Sequence, residues 1–269
     1  YGYWILGKSL RRSLLEGGVI FNKEAEIVFF LGAPNAFSPI FCPSRKNVLM
    51  SMWEADAVPS IFAGKLRYAD MVIVPCQHNK KAFEKSIKGK AHVEVCQLGY
   101  DDAEITYRHR ERGDGNFKFL WVGAPNIRKG FDIVVKAFQI AFRTYEPVEL
   151  RLKTTGLWED EAKTNLFAQL FKSMPPKGEW RIMPKVILDN RNLPREQLIN
   201  LYHHAHAFVF PSRGEGFGLP ALEAMAAGCL VIAPSIQGLA EFVNPDTAWV
   251  IPCGRIRAYY PGPIWAPEP

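Results

Sequence analysis

Short apolar runs alternate with stretches of helical periodicity along most of the chain, the pattern of parallel strands joined by crossover helices. In the first part, Ile27-Val-Phe-Phe-Leu31, Asn47-Val-Leu-Met-Ser51, Met71-Val-Ile-Val74 and His92-Val-Glu-Val95 read as strands. Residues 80–87 read as a short helix, and 8–15 gathers Leu10, Leu14 and Leu15 on one side. From Leu98 to Asn116 the chain turns polar, and 108–115 is nearly devoid of apolar side chains, which marks the expected linker. A second series follows, with strands at 119–122, 149–153, 186–188, 207–210 and 230–232 and helices at 132–142, 163–171, 195–204 and 219–227. Pro194 and Pro220 stand at helix starts and Gly228 at a helix stop, positions that suit their backbone preferences. The reading is α/β throughout, in two Rossmann-like domains with parallel sheets, 1–105 and 106–269.

Composition narrows the class. A chain of 269 residues with 48% hydrophobic and 22% charged residues is globular and long enough for two cores. The formal charge of +6 is spread over both parts with no block of like charge. That excludes a nucleic-acid arm and points to anionic small ligands or an anionic membrane face. No run approaches the ~20 apolar residues that cross a bilayer, and no secretory leader is legible. Cys42, Cys76, Cys96, Cys229 and Cys253 are odd in number, scattered and never in a C-x-x-C pair. Neither a zinc site nor a disulfide framework is indicated, so a cytoplasmic protein is expected.

The most informative stretch is Pro211-Ser-Arg-Gly-Glu-Gly-Phe-Gly-Leu-Pro-Ala-Leu-Glu223, which leaves a buried strand, passes a Gly-rich turn and enters a helix. In a parallel sheet that is where ligands bind. Glycines let backbone approach a ligand, and free N–H groups near Gly218 and Leu219 attract phosphate oxygens. A carboxylate would repel phosphate, so Glu215 and Glu223 suit sugar and ribose hydroxyls. The alternative is a plain Gly-rich turn, with Glu223 stabilising its helix through the macrodipole.

Taken whole, the string resembles the retaining GT-B glycosyltransferases of family 4, the glycosyl transferases group 1. Glu215 and Glu223 stand at the E-x7-E spacing inside that family's G-E-G-F-G-L-P-x-L-E-A-M-A-x-G. The resemblance implies a nucleotide-diphosphate-sugar donor held by a C-terminal domain and an acceptor held by an N-terminal one. It places Glu215 at the donor sugar, Gly216, Phe217, Gly218 and Leu219 at sugar and phosphates, and Glu223 at the ribose. Upstream, Leu120-Trp-Val-Gly-Ala-Pro-Asn-Ile-Arg-Lys-Gly130 is similar to the family's strand-G-R-x(n)-K-G-x-D segment. That similarity assigns Gly123 to the donor and Arg128 and Lys129 to the departing diphosphate, with Ala124 where many members have Arg. The likeness continues back through Met52-Trp-Glu-Ala-Asp-Ala-Val-Pro59 and Ala69-Asp-Met-Val-Ile-Val-Pro75, where Cys76 replaces the usual Ser. Glu54 becomes the acceptor-side candidate, its alternative being a surface ion-pair carboxylate.

The family pattern also includes a complete first β-α unit and a closing helix that this sequence does not display, so both termini read as truncated and the chain as a fragment. No D-x-D occurs, and His203, His204 and His206 straddle a helix end without spaced partners. No metal and no cofactor are therefore expected. The function expected is hexosyl transfer, metal-independent and with retention, from a nucleotide sugar to a glycan, lipid-linked or small-molecule acceptor. The basic, Leu-bearing 8–15 segment reads as an amphipathic surface helix compatible with peripheral contact at the cytoplasmic membrane face. Two rival readings remain: a non-catalytic nucleotide-sugar-binding module, and a sugar-nucleotide epimerase of the same fold.

Overall fold

The computed structural model describes residues 2–22, 24–34, 45–87, 91–110, 115–143, 145–155, 185–256, 258–259 and 266–267. Cys42 and the expected helix at 163–171 lie outside them. By its contacts the chain divides into two compact units, Tyr1–Leu98 with Glu215–Leu219, and Gly99–Gly214 with Pro220–Pro269.

The first unit contains α1 (Gly2–Glu16), β1 (Ile27–Leu31), β2 (Lys46–Met50), α2 (Ser60–Leu66), β3 (Met71–Val74), α3 (Gln77–Ile87) and β4 (His92–Val95). Its four described strands pair in chain order, β1-β2-β3-β4, all parallel. Leu49, Val72, Val74 and Val93 are buried on this sheet, and Ala82, Phe83 and Ile87 form the buried stripe of α3. Helix α2 was not legible in the sequence. It is seven residues long with a glycine inside, and two apolar anchors, Phe62 and Leu66, are its only buried positions. Phe62 meets the Trp53 ring edge-on at 5.7 Å. Helix α3 begins at Gln77, three residues before the expected start, because its first turn is polar yet built in. Asn79 there is fully buried, and its Oδ1 accepts from the Trp53 N–H at 2.5 Å.

The second unit contains β5 (Phe117–Val122), α4 (Phe131–Ala141), β6 (Val148–Lys153), β7 (Lys185–Asp189), α5 (Arg195–His204), β8 (Ala207–Val209), α6 (Leu219–Ala226), β9 (Leu230–Ala233) and β10 (Trp249–Val250). Leu219, the first residue of α6, groups by contact with the first unit. The sheet is all parallel in the order β10-β9-β8-β5-β6-β7. Strands β5, β6 and β7 therefore run outward to one side, and β8, β9 and β10 to the other. Apart from it, β11 (Ala258–Tyr259) and β12 (Ala266–Pro267) form a short antiparallel pair. The central strands bury Leu120, Trp121, Leu150, Leu152 and Phe208, covered by Phe131, Val135 and Phe138 of α4 and by Leu198 and Tyr202 of α5. Each such side chain contributes roughly 1.5–3 kcal/mol of burial.

The polar stretch expected as linker is anchored where it is described. The division between units falls after Leu98, and Ile105 is buried in the second core. Arg110 donates to the carbonyls of Tyr202 (2.9 Å), Ala205 (2.8 Å) and Ala227 (2.9 Å). These carbonyls belong to the C-terminal ends of α5 and α6, where unpaired acceptors and the negative pole of the dipole favour a cation. Apolar periodicity carries no trace of such an attachment.

Candidate functional site

A parallel sheet whose strand order reverses leaves a crevice beyond the carboxyl ends of the two strands at the reversal. In the second unit those strands are β5 and β8. After β5, Gly123 N donates to Lys153 O at 3.1 Å. A one-turn helix, Ile127–Lys129, follows, capped by Asn126 Oδ1 accepting from Lys129 N at 3.0 Å. Trp121 Nε1 donates to Lys129 O at 3.1 Å. Gly130 then turns with φ 70°, and a Cβ there would lie 2.1 Å from the carbonyl oxygen of Pro211. Only glycine lets the turn after β5 lie directly on the turn after β8.

Side chains lock the two turns together. Arg128 Nη1 donates to Gly214 O at 2.6 Å, while Arg128 O accepts from Arg213 N at 2.7 Å and Ser212 Oγ at 3.1 Å. Arg213 makes a bidentate pair with Asp132, 2.8 Å on each arm, and reaches Ile127 O. Lys129 Nζ stands 5.4 Å from the Phe210 ring centroid. Arg213 is balanced by Asp132, which leaves Arg128 and Lys129 as the cations of the turn after β5, suited to an anion. Arg213 had no role in the sequence reading. Its signal was the pairing with Asp132, 81 positions earlier, which spacing does not reveal.

Glu223, on α6, is 7% exposed. Its Oε1 is ion-paired with Arg195 Nη1 at 2.8 Å, and its Oε2 accepts from Tyr202 Oη at 3.2 Å. Burial pushes the carboxyl above its ordinary range, and the Arg195 charge and the Tyr202 hydroxyl pull against that rise. Burial, with the Glu223 charge adding to it, raises the Tyr202 hydroxyl well above the usual phenol range. A carboxylate accepts along about four lone-pair directions, so two partners leave capacity for a ligand hydroxyl. Arg195 pairs in turn with Glu104 at 3.1 Å. Neither Arg195 nor Glu104 was singled out from sequence. Tyr202 falls inside the expected 195–204 helix, and a buried phenol needs a partner for its hydroxyl.

At the ends of β6 and β7, Lys153 is 3% exposed and donates to the carbonyls of Thr154 (2.5 Å), Arg191 (2.6 Å) and Asp189 (3.4 Å). Burial lowers its ammonium. Asp189 is held down to about 2, chiefly by hydrogen bonds from Arg191.

The remaining sequence candidates lie in the first unit. Segment Glu215–Leu219 groups there, so the two glutamates of the E-x7-E string belong to different units. Gly216 O accepts from Asn79 Nδ2 at 2.9 Å and from Cys76 Sγ at 3.4 Å. Cysteine thus fills the donor role a serine would have. A Cβ on Gly216 would fall 2.7 Å from Met52 Cγ, and Gly218 has φ 98°. Glu215 and Phe217 are each 4% exposed. Glu54 is half-buried beyond the end of β2, next to Trp53. The three histidines point to separate partners. His203 Nε2 faces Thr106 O, His204 Nδ1 faces Asn200 O, and His206 Nδ1 accepts from Lys118 N.

Among the described residues no group of three or more His, Cys, Asp or Glu could hold a metal ion, and no helix is long and apolar enough to cross a membrane. Residues 116–260, more than half the chain, match the family model for glycosyl transferases group 1. The chain is 29% identical over 188 residues to the mannosylfructose-phosphate synthase of Agrobacterium fabrum, covering 66% of this chain and 40% of that protein. It is 32% identical over 131 residues to an Escherichia coli O-antigen chain mannosyltransferase B, covering 46% of this chain and 30% of that one. It thus spans less than half the length of these curated relatives. In structure it is similar to Anabaena HepE, solved with UDP and glucose, with a TM-score of 0.66 at 17% identity over 86% of this chain and 65% of that one. The trehalose-6-phosphate synthase OtsA gives 0.65 at 13% over 93% of this chain and 65% of that one. At such identities the likeness establishes the GT-B fold, with its two Rossmann-like units. With the reversal in strand order, the Gly-rich turns and the family match in agreement, the chain is a member of the glycosyl transferases group 1.

Proposed function

We propose that this protein transfers a hexosyl group from a nucleotide-diphosphate sugar to an acceptor hydroxyl, without a divalent metal and with retention of anomeric configuration. The observation that carries the reading is the positive crevice at the β5/β8 reversal, built by Arg128 and Lys129 on one turn and by the Gly-rich exit from β8 on the other. In this reading the bond from the anomeric carbon to the phosphate oxygen breaks with its electron pair on the diphosphate, as the acceptor oxygen bonds to that carbon and its hydroxyl proton passes to the departing diphosphate. Lys129, Arg128 and the N-terminus of α6 stabilise the growing negative charge. Glu215 orients the sugar, Glu223 accepts the ribose hydroxyls, and Gly123 with the Gly216, Phe217, Gly218 and Leu219 segment lets the donor approach backbone. Glu54 serves the acceptor. Retention is supported by the GT-B likeness to a trehalose-6-phosphate synthase studied for glycosyl transfer with retention. Exposed Val19, Ile20 and Phe21, following the basic helix α1, favour a lipid-linked acceptor among the three classes.

Thermal unfolding with UDP, GDP, ADP and dTDP tests the donor site, because a ligand of the folded state raises Tm by mass action. One nucleotide should stabilise the chain, and Lys129→Ala and Glu223→Ala should abolish the shift. With an acceptor identified, Lys129→Ala should lower kcat by roughly 100-fold or more. Stabilisation by no nucleotide, or turnover unmoved in Lys129→Ala, rejects the reading.

A further inference from the structure

Resting on the donor-site reading above, we propose that Arg195 is a positioning residue for donor binding. From the start of α5 it reaches Glu223 Oε1 at 2.8 Å, is itself held by Glu104 at 3.1 Å, and so keeps the buried carboxylate charged and aimed for the ribose hydroxyls. The geometry is specific. Glu223 lies one turn into α6, 7% exposed, with Tyr202 Oη on its second oxygen. Burial disfavours the charged form of such a carboxylate, and a fixed cation beside it offsets that cost. The Arg195 side chain is 21% exposed and is committed to two carboxylates. Glu104 belongs to the polar stretch that begins the second unit, so the donor-binding carboxylate is tied through one guanidinium to residues just after the division at Leu98.

The charged and titratable groups around Glu223 act with different signs. Arg195 and Tyr202, both from α5, favour the carboxylate, whereas Glu104, from the 99–110 stretch, opposes it. This yields a pattern that a merely structural brace would not produce. Removing Arg195 moves the acid limb of nucleotide binding to higher pH. Removing Glu104 moves it to lower pH. Replacing Glu223 by its amide abolishes the limb.

The experiment is calorimetric titration of the whole chain with UDP, GDP, ADP and dTDP between about pH 5 and 8.5, for wild type and Arg195→Met, Arg195→Lys, Glu104→Gln and Glu223→Gln. Arg195→Met should bind roughly fivefold or more weakly at pH 6 than at pH 8, with wild type nearly level over that range. Arg195→Lys should restore most of the wild-type profile, and Glu104→Gln should bind no worse than wild type at about pH 5.5. If Arg195→Met does not fold, the displacement of the acid limb to lower pH in Glu104→Gln and its loss in Glu223→Gln carry the test. Wild-type binding with superimposable pH profiles in the variants overturns the role of Arg195 alone. Absence of binding by folded wild type overturns the donor-site reading and this role with it.

Discussion

The two units solve the same packing problem with different orders of their described strands, and in the second that order reverses beside the turns that carry Arg128 and Lys129. In the first, the described strands follow one another across the sheet in chain order. In the second, β8 returns to the far side of β5, and the turns after these two strands meet, with Gly130 packed on Pro211 O and Arg128 bonded to Gly214 O. The first sheet offers packing and a place for Asn79 to hold Gly216 O. The second offers Gly123, Gly130 and Gly214 beside the cations Arg128 and Lys129. Alternating strands and helices are common to both; among the described residues the reversal is in the second alone.

The largest effect expected from breaking this contrast is at Gly130. Its positive φ, and a Pro211 carbonyl oxygen only 2.1 Å from where a Cβ would lie, leave no room for a side chain. Gly130→Ala should destabilise the second unit by about 3 kcal/mol or more in urea unfolding and remove nucleotide binding. A variant that keeps both would show that the two turns need not touch. Next comes Asp189 at the end of β7, whose ionised form Arg191 holds in place. Its folded-state value, about 2, is below the ordinary 3.8, so its stabilisation is present above about pH 4 and fades as pH falls through about 2. Asp189→Asn should cost about 1–2 kcal/mol at pH 7 and almost nothing near pH 2, measured by urea unfolding at both. The smallest effect lies in the first unit. Gly64, inside α2, has open space where a Cβ would go. Gly64→Ala should stabilise by about 0.5–1 kcal/mol and leave nucleotide binding unchanged, with loss of binding contradicting the contrast.

How much was legible follows from which interactions are local. Strands β5, β6 and β7 and helices α4, α5 and α6 stand within a few residues of their expected bounds, because each announces itself by a continuous apolar run or a 3.6-residue stripe. Helix α2 and the two-residue strand β10 did not, being too short for a period to show. The E-x7-E string was conspicuous as a motif. Its division between two contact groups was not, since adjacent residues in a chain carry no mark of the neighbours they will have in the fold.

The amino-acid sequence by itself determined the α/β class, the alternation that makes both large sheets parallel, the Gly-rich exit from β8 and the cations Arg128 and Lys129. These are properties of periodicity and of residues close to one another along the chain. Only the tertiary structure decided the partners: Arg213 with Asp132, Arg110 on the ends of two helices, and the chain from Glu104 through Arg195 to Glu223 and Tyr202. Each joins residues far apart in sequence, and a buried charge takes whichever opposite charge the packing brings within reach. That choice is made by how the helices lie on the sheet, which no local pattern encodes.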